Sequence, residues 1–244
     1  MSRAVIPSPF HPVLARITWR ATVGRRRTLL LLLLPVVLLI LSFIYRDAGG
    51  DDPVSLLSFF GIRTLLPLMA LLVGTEVLGR DLDEGTAVHL LATPMSRTTI
   101  VLTKLAVAIA VTAAFAVFPI LLAGYILVGW SDQITVGYAV AALAGSVVYC
   151  SLFLALSVLT RRAIVAGLGF VLVWELLLGN LIGGVKILSV QQYVRSFADA
   201  IATTRNTAPL SMTTAVALSL AGTAAALVVA VRRLRDYSLT GEDG

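Results

Sequence analysis

Charge is what this chain has least of. Asp, Glu, Lys and Arg make up 13% of its 244 residues, about half the share of a soluble domain. A water-soluble body of this length must cover its core with polar surface, so a cytosolic globular enzyme is excluded. Disorder needs low hydrophobicity and high charge; 58% hydrophobic residues and a mean hydropathy of +0.95 exclude it too. Cysteine is nearly absent. The single Cys150 rules out an internal disulfide and any Cys-based zinc or iron–sulfur centre supplied by this chain alone. Lysine is scarce as well: Lys104 and Lys186 are the only two, and neither completes the G-x-x-x-x-G-K-[ST] loop that cradles nucleotide phosphates. Neither H-E-x-x-H nor G-x-S-x-G occurs. The two histidines, His11 and His89, are far apart, and the four methionines are scattered, so no copper or zinc ligand set is visible. Catalysis, a bound metal and a cofactor held by this chain are not expected.

What the chain does have is long apolar runs. A bilayer core of about 30 Å takes roughly 20 helical residues to cross. Six stretches qualify: 28–45, with its Leu29–Leu34 run, then 54–78, 105–130, 136–160, 163–184 and 213–231. The reading is an all-α integral membrane protein of six spans. It has a leader at 1–27, a transmembrane domain at 28–231 and a tail at 232–244. The first run lacks a small-x-small cleavage site and reads as a retained anchor rather than a signal peptide.

The basic residues set the orientation. With the N-terminus inside, the inner segments hold fourteen (Arg3, Arg16, Arg20, Arg25, Arg26, Arg27, Arg80, Arg97, Lys104, Arg161, Arg162, Arg232, Arg233 and Arg235). The outer loops hold four, namely Arg46, Lys186, Arg195 and Arg205. That is a positive-inside bias with both termini cytoplasmic. It accounts for the net charge of +6 without nucleic acid.

Three segments outside the spans carry further information. Phe10, Val13, Leu14, Ile17 and Ala21 recur at helical spacing with Arg16 and Arg20 between them, which predicts an amphipathic interfacial helix; a solvated basic leader is the alternative. The outer connection from Val185 to Met212 repeats Val190, Tyr193, Val194, Phe197 and Ile201 at steps of three and four. That spacing predicts a half-buried helical excursion between the fifth and sixth spans. The inner connection is the most specific: Glu76-Val-Leu-Gly-Arg80-Asp-Leu-Asp-Glu84-Gly85-Thr86-Ala-Val-His-Leu-Leu-Ala-Thr-Pro94-Met-Ser-Arg97, then Lys104. Gly85 ends one helix, Thr86 can cap a short one over Ala87–Ala92, and Pro94 stops it. Ser96 or Thr98 can then start the third span. A solvated charged turn would also satisfy this pattern.

This segment resembles the connection between the second and third spans of ABC-2 type permease subunits of ABC transporters. In that family a Glu, a Gly-Thr pair, Leu-Leu, Pro and Arg recur there, and the leading helix, six spans and late excursion match in topology. The resemblance implies a permease dimer, homo- or heteromeric, in a prokaryotic inner or cell membrane. Each permease would contact a cytoplasmic ATP-binding subunit that carries ATP and Mg, and the pair would export a substrate that fold analogy does not name. Glu76, Gly85, Thr86, Pro94 and Arg97 fall on the family pattern and would form the coupling element, with Arg80, Glu84 and Lys104 as further charges around it.

Two ionisable residues lie deep in spans, Arg63 in the second and Glu175 in the fifth. A charge at that depth costs at least about 2.5–3.5 kcal/mol on insertion scales and calls for a partner. Each sits nine residues from the outer end of its span, roughly 13 Å down, so an Arg63–Glu175 pair within or between subunits is a candidate. Pro35, Pro67 and Pro119 fall within spans and predict kinks. Trp19, Tyr45 and Trp130 fall where interfacial aromatics are expected. Other functions fit less well. A permease for cofactor or metal-centre maturation would want a His or Met cluster. A secondary transporter usually shows several deep carboxylates and internal repeats, and a scaffold would not explain the inner motif.

Overall fold

The computed structural model describes residues 12–22, 25–49, 52–83, 96–130, 133–178, 189–202 and 210–239. Within them every regular element is helical. Helix α1 is Pro12–Thr22 and α2 is Arg25–Asp47. Helix α3 (53–83) runs continuously through Pro53–Leu56, Leu57–Leu65 and Leu66–Asp83, and α4 (97–128) through Arg97–Thr112, Ala113–Val117 and Phe118–Val128. Helix α5 is Ile134–Leu159, α6 (163–178) joins Ala163–Gly169 to Phe170–Leu178, α7 is Val190–Ala202 and α8 is Met212–Leu239.

Among the described residues, four stretches are long and apolar enough to cross a membrane: Val54–Gly79, Arg97–Val128, Ile134–Leu159 and Met212–Leu234. They coincide with the second, third, fourth and sixth expected spans. The first falls on the 23-residue α2. The fifth falls on α6, where Ala163–Glu175 is apolar but shorter; its expected continuation to Gly184 lies outside the described residues. The third span starts earlier than hydropathy indicates, at Arg97 rather than Leu105. Ser96 explains this: its backbone is extended and its hydroxyl accepts the Thr99 N–H at 3.1 Å, a helix N-cap.

Helices α3 and α5 form the centre. About 67% of the α5 window is buried against 17% of that in α8, so α5 is the hub and α8 a peripheral helix. Lipid tails are as apolar as Leu, so close packing rather than water exclusion holds such helices together. Gly74 shows how: a Cβ there would sit 3.1 Å from Phe153 Cβ and 3.3 Å from the Cys150 carbonyl oxygen. Side-chain hydroxyls inside the bundle bond back to their own helices, Ser42 to Leu38 and Thr75 to Leu71 among them. The outward faces of α2 and α6 carry Leu33, Phe43, Val165 and Val173 exposed, as helices facing lipid do.

The prolines do not break their helices. Leu66 N–H bonds the Gly61 carbonyl and Phe118 N–H bonds that of Ala113, each five residues back. These widened π-helical turns end just before Pro67 and Pro119. A proline clashes with the carbonyl four residues earlier and offers no N–H, and a wider turn relieves both problems without a break. Pro35 lies within α2, which stays α-helical. A third π-helical stretch, Phe170–Leu178, has no proline.

Candidate functional site

Helix α1 packs on α3 and α4, whereas α7 packs on α5, α8 and the π-helical start of α3. These contacts define two ends of the bundle. Only part of the coupling element expected at the α1 end falls on described residues. Glu76 is half-buried near the end of α3, and Arg97 is half-buried in the first turn of α4. Arg80 belongs to α3, but its side chain lies outside the described residues. So do Glu84, Gly85, Thr86 and Pro94, together with the short helix expected over Ala87–Ala92. Lys104 is enclosed at 2% exposure, and its Nζ donates to the Val77 carbonyl. A buried ammonium persists only if it is bonded, so Lys104 fastens α4 to the residue following Glu76.

Helix α1 itself buries Leu14, Thr18 and Thr22 on one stripe and leaves Val13 and Ile17 exposed. The apolar set grouped by sequence thus divides: Leu14 serves the protein, while Val13 and Ile17 face outward.

At the α7 end the two deep charges converge. Glu175, on the π-helical part of α6, is 1% exposed. Its carboxylate accepts the Ser189 hydroxyl, the Val190 N–H at 2.9 Å and the Gln191 N–H at 3.4 Å. It therefore caps α7 from another helix. The first N–H groups of a helix lack internal partners and carry partial positive charge, so an anion is well matched there. Arg63, on the π-helical part of α3, donates through Nε to Gln191 Oε1 at 3.3 Å. Gln191 thus joins the two residues that sequence depth suggested as a pair: its backbone meets Glu175 and its side chain meets Arg63. Arg195 and Glu175 are charged neighbours of Arg63. The Tyr149 hydroxyl, fully buried on α5, stands near the same carboxylate.

Helix α7 is more than half-buried. Its residues Gln191, Tyr193, Val194, Phe197 and Ala198 are all enclosed. Gly137 of α5 permits this, since a Cβ there would lie 3.2 Å from both the Ala198 carbonyl oxygen and the Ala202 nitrogen. Ser189 and Gln191 escaped the sequence reading. The available signal was Ser189, Gln191 and Gln192 crowded at the start of an amphipathic helix, because buried amides require partners. Among the described residues, no three His, Cys, Asp or Glu side chains gather as a metal site would need.

Among the described residues, a helical bundle with four helices long and apolar enough to cross a membrane, a buried carboxylate capping a packed excursion helix and a half-buried Arg63 bonded to that same helix defines a multi-pass membrane protein. A family profile described as ABC-2 family transporter protein matches residues 13–239, and the chain belongs to that family. It is a membrane component of an ABC transporter. Among individually curated proteins no match is found.

Proposed function

We propose that this chain is the permease subunit of an ATP-driven exporter, working as a dimer with a separate ATP-binding subunit in a prokaryotic plasma membrane. It would cross the bilayer six times, with α2 and α6 as the first and fifth spans and both termini cytoplasmic. The α1 end would then be cytoplasmic and the α7 end external. Family membership over residues 13–239 carries the reading, and a sequence without a phosphate-binding loop is consistent with hydrolysis on a partner. ATP and Mg on that partner would supply the drive.

The residues here would receive and pass on the push. The segment from Glu76 to Arg97 is the docking element. The Lys104–Val77 bond makes α3 and α4 move together at that end, so a displacement of the connection becomes a rotation of both helices. Arg63 lies on the same α3, and its bond to Gln191 delivers that rotation to the first turn of α7. The cluster of Arg63, Glu175 and Gln191 would then act as the external latch of the path.

The test is purification of the tagged protein in mild detergent, with mass spectrometry of what accompanies it and an ATPase assay. Recovery of an ATP-binding subunit, lost on Glu76→Ala or Arg97→Ala, supports the reading. A lone protein without ATPase activity, from membranes where it is intact, overturns it in favour of a secondary transporter or scaffold.

A further inference from the structure

Between α5, α7 and α8 lies a cavity of about 380 Å³. Its walls include Val140, Ala144 and Val148 of α5, Phe197 of α7, and Val216 and Leu220 of α8, and they are almost wholly apolar. On α5 the lining runs from Val140 to Val148, and on α8 from Met212 to Thr223. At 1.5 Å per residue these are about 12 Å and about 16 Å of helix, close to the roughly 15 Å depth of one leaflet's hydrocarbon. Both helices begin at the α7 end, so the slot occupies one half of the membrane only.

We infer that this slot holds an acyl chain of a phospholipid from the leaflet on the α7 side. Three observations select that occupant. The polar side chains of the lining are the hydroxyls of Ser219 and Thr223, too few for a headgroup, and a cavity otherwise this apolar stays dry. Left empty, the lining would forfeit contacts that close-packed protein does not forgo. A methylene takes about as much room as the ~30 Å³ share of a water molecule, so the slot accepts on the order of a dozen carbons, a chain rather than a ring or a headgroup. Finally, Val140, Val216 and Leu220 are also exposed at the bundle surface, so the slot opens sideways to the medium that contains such chains. Phe197 belongs to the helix that Glu175 caps, and the chain therefore buttresses the latch from its opposite side.

The inference rests on the membrane orientation proposed above. The experiment uses the full protein with its co-purifying partners in phosphatidylcholine nanodiscs containing a phosphatidylcholine with a mid-chain diazirine. Photolabelled peptides are mapped by mass spectrometry. Labelling at 140–148 and 212–223 is expected to exceed that at the exposed face of α6, Val165 to Val173, at least fivefold. Ala144→Trp and Val216→Trp should each remove most of the excess while leaving α6 labelling unchanged, and the smaller Ala144→Leu should remove part of it. Protection of the buried Cys150 thiol shows that each variant is folded. Even labelling around the bundle, or an excess that the filling variants leave intact, overturns the inference. So does a slot that is unlabelled because a second copy covers it, seen as copy-to-copy cross-links at Val216. Vesicles loaded with the probe in one leaflet separate this inference from the orientation: excess labelling only from the cytoplasmic leaflet keeps the slot and overturns the orientation.

Discussion

If Glu175 caps α7 across the bundle, removing its carboxylate should cost far more than neutralising it. Glu175→Ala leaves the Val190 N–H, bonded at 2.9 Å, without an acceptor in a buried site, together with the longer Gln191 contact at 3.4 Å. An orphaned buried donor costs about 1–3 kcal/mol. The Ser189 hydroxyl can turn to another acceptor, so the sum for Glu175→Ala is about 2–4 kcal/mol. Glu175→Gln keeps one acceptor oxygen for the Val190 N–H, while its NH2 replaces the oxygen that meets the long Gln191 contact and the Ser189 hydroxyl, which can turn to accept. The weak contact and the charge-assisted part are lost, about 1 kcal/mol in all. For a chain of this size each kcal/mol moves the melting temperature by roughly 2–4 °C. Glu175→Ala should therefore melt about 4–16 °C low and Glu175→Gln about 2–4 °C low. The protein carries its own reporter: Cys150, its single thiol, is 0% exposed, so a thiol-reactive fluorogenic dye in mild detergent reads unfolding directly. Glu175→Ala melting within 2 °C of the parent would refute the argument. It would mean that desolvating the charge costs as much as capping the helix returns.

Three further outcomes follow from the packing. Leu14→Ala should destabilise by about 2–3 kcal/mol and Ile17→Ala by less than 0.5 kcal/mol, because Leu14 is 7% exposed and Ile17 61%; equal shifts in Cys150 protection would contradict the placement of α1. Gly74→Leu should cost about 3 kcal/mol or more through overpacking against Phe153, measured as lost folded yield in membranes, with near-normal yield as the adverse result. Lys104→Met preserves volume and removes a buried ammonium, so stability should change by less than about 1.5 kcal/mol. Partner ATPase stimulation should fall at least tenfold if Lys104 ties α4 to α3 for coupling, and unaltered stimulation would remove it from the coupling path.

The helices were largely legible because a bilayer imposes a length and a composition that apolar runs display openly. The excursion was legible for a different reason: Val190, Tyr193, Val194 and Phe197 keep helical spacing, and α7 follows it. Its depth of burial was not legible, because Gly137 is one glycine among nineteen in the sequence, and only the fold puts it under the α7 backbone. The start of α4 was missed by hydropathy, which does not see a cap, although Ser96 was visible as a cap candidate. The deep charges were legible as residues in need of partners. Their partners were not, since a backbone N–H has no sequence signature and Gln191 is far from Arg63 along the chain.

The two π-helical turns that carry Arg63 and Glu175 bear on why the Arg63–Gln191–Glu175 cluster sits where it does. A widened turn displaces every later side chain around the helix axis, so it lets a charged residue face the protein while its neighbours keep facing lipid or core. In α3, Arg63 lies within the widened stretch, while Leu66, Met69 and Ala70 beyond it are 0% exposed. That buried stretch can turn only as a unit with the α5 side chains packed on it, which makes the segment from Met69 to Val77 a stiff rod of about 12 Å. Compliance in α3 is then concentrated at Pro67 and the turn before it, immediately next to Arg63. A push arriving at the Glu76 end would travel along the rod with little loss and be released where the hydrogen-bond ladder is already loosened. In the proposed mechanism the proline would thus stand at the junction between the part of α3 that transmits and the part that reaches Gln191.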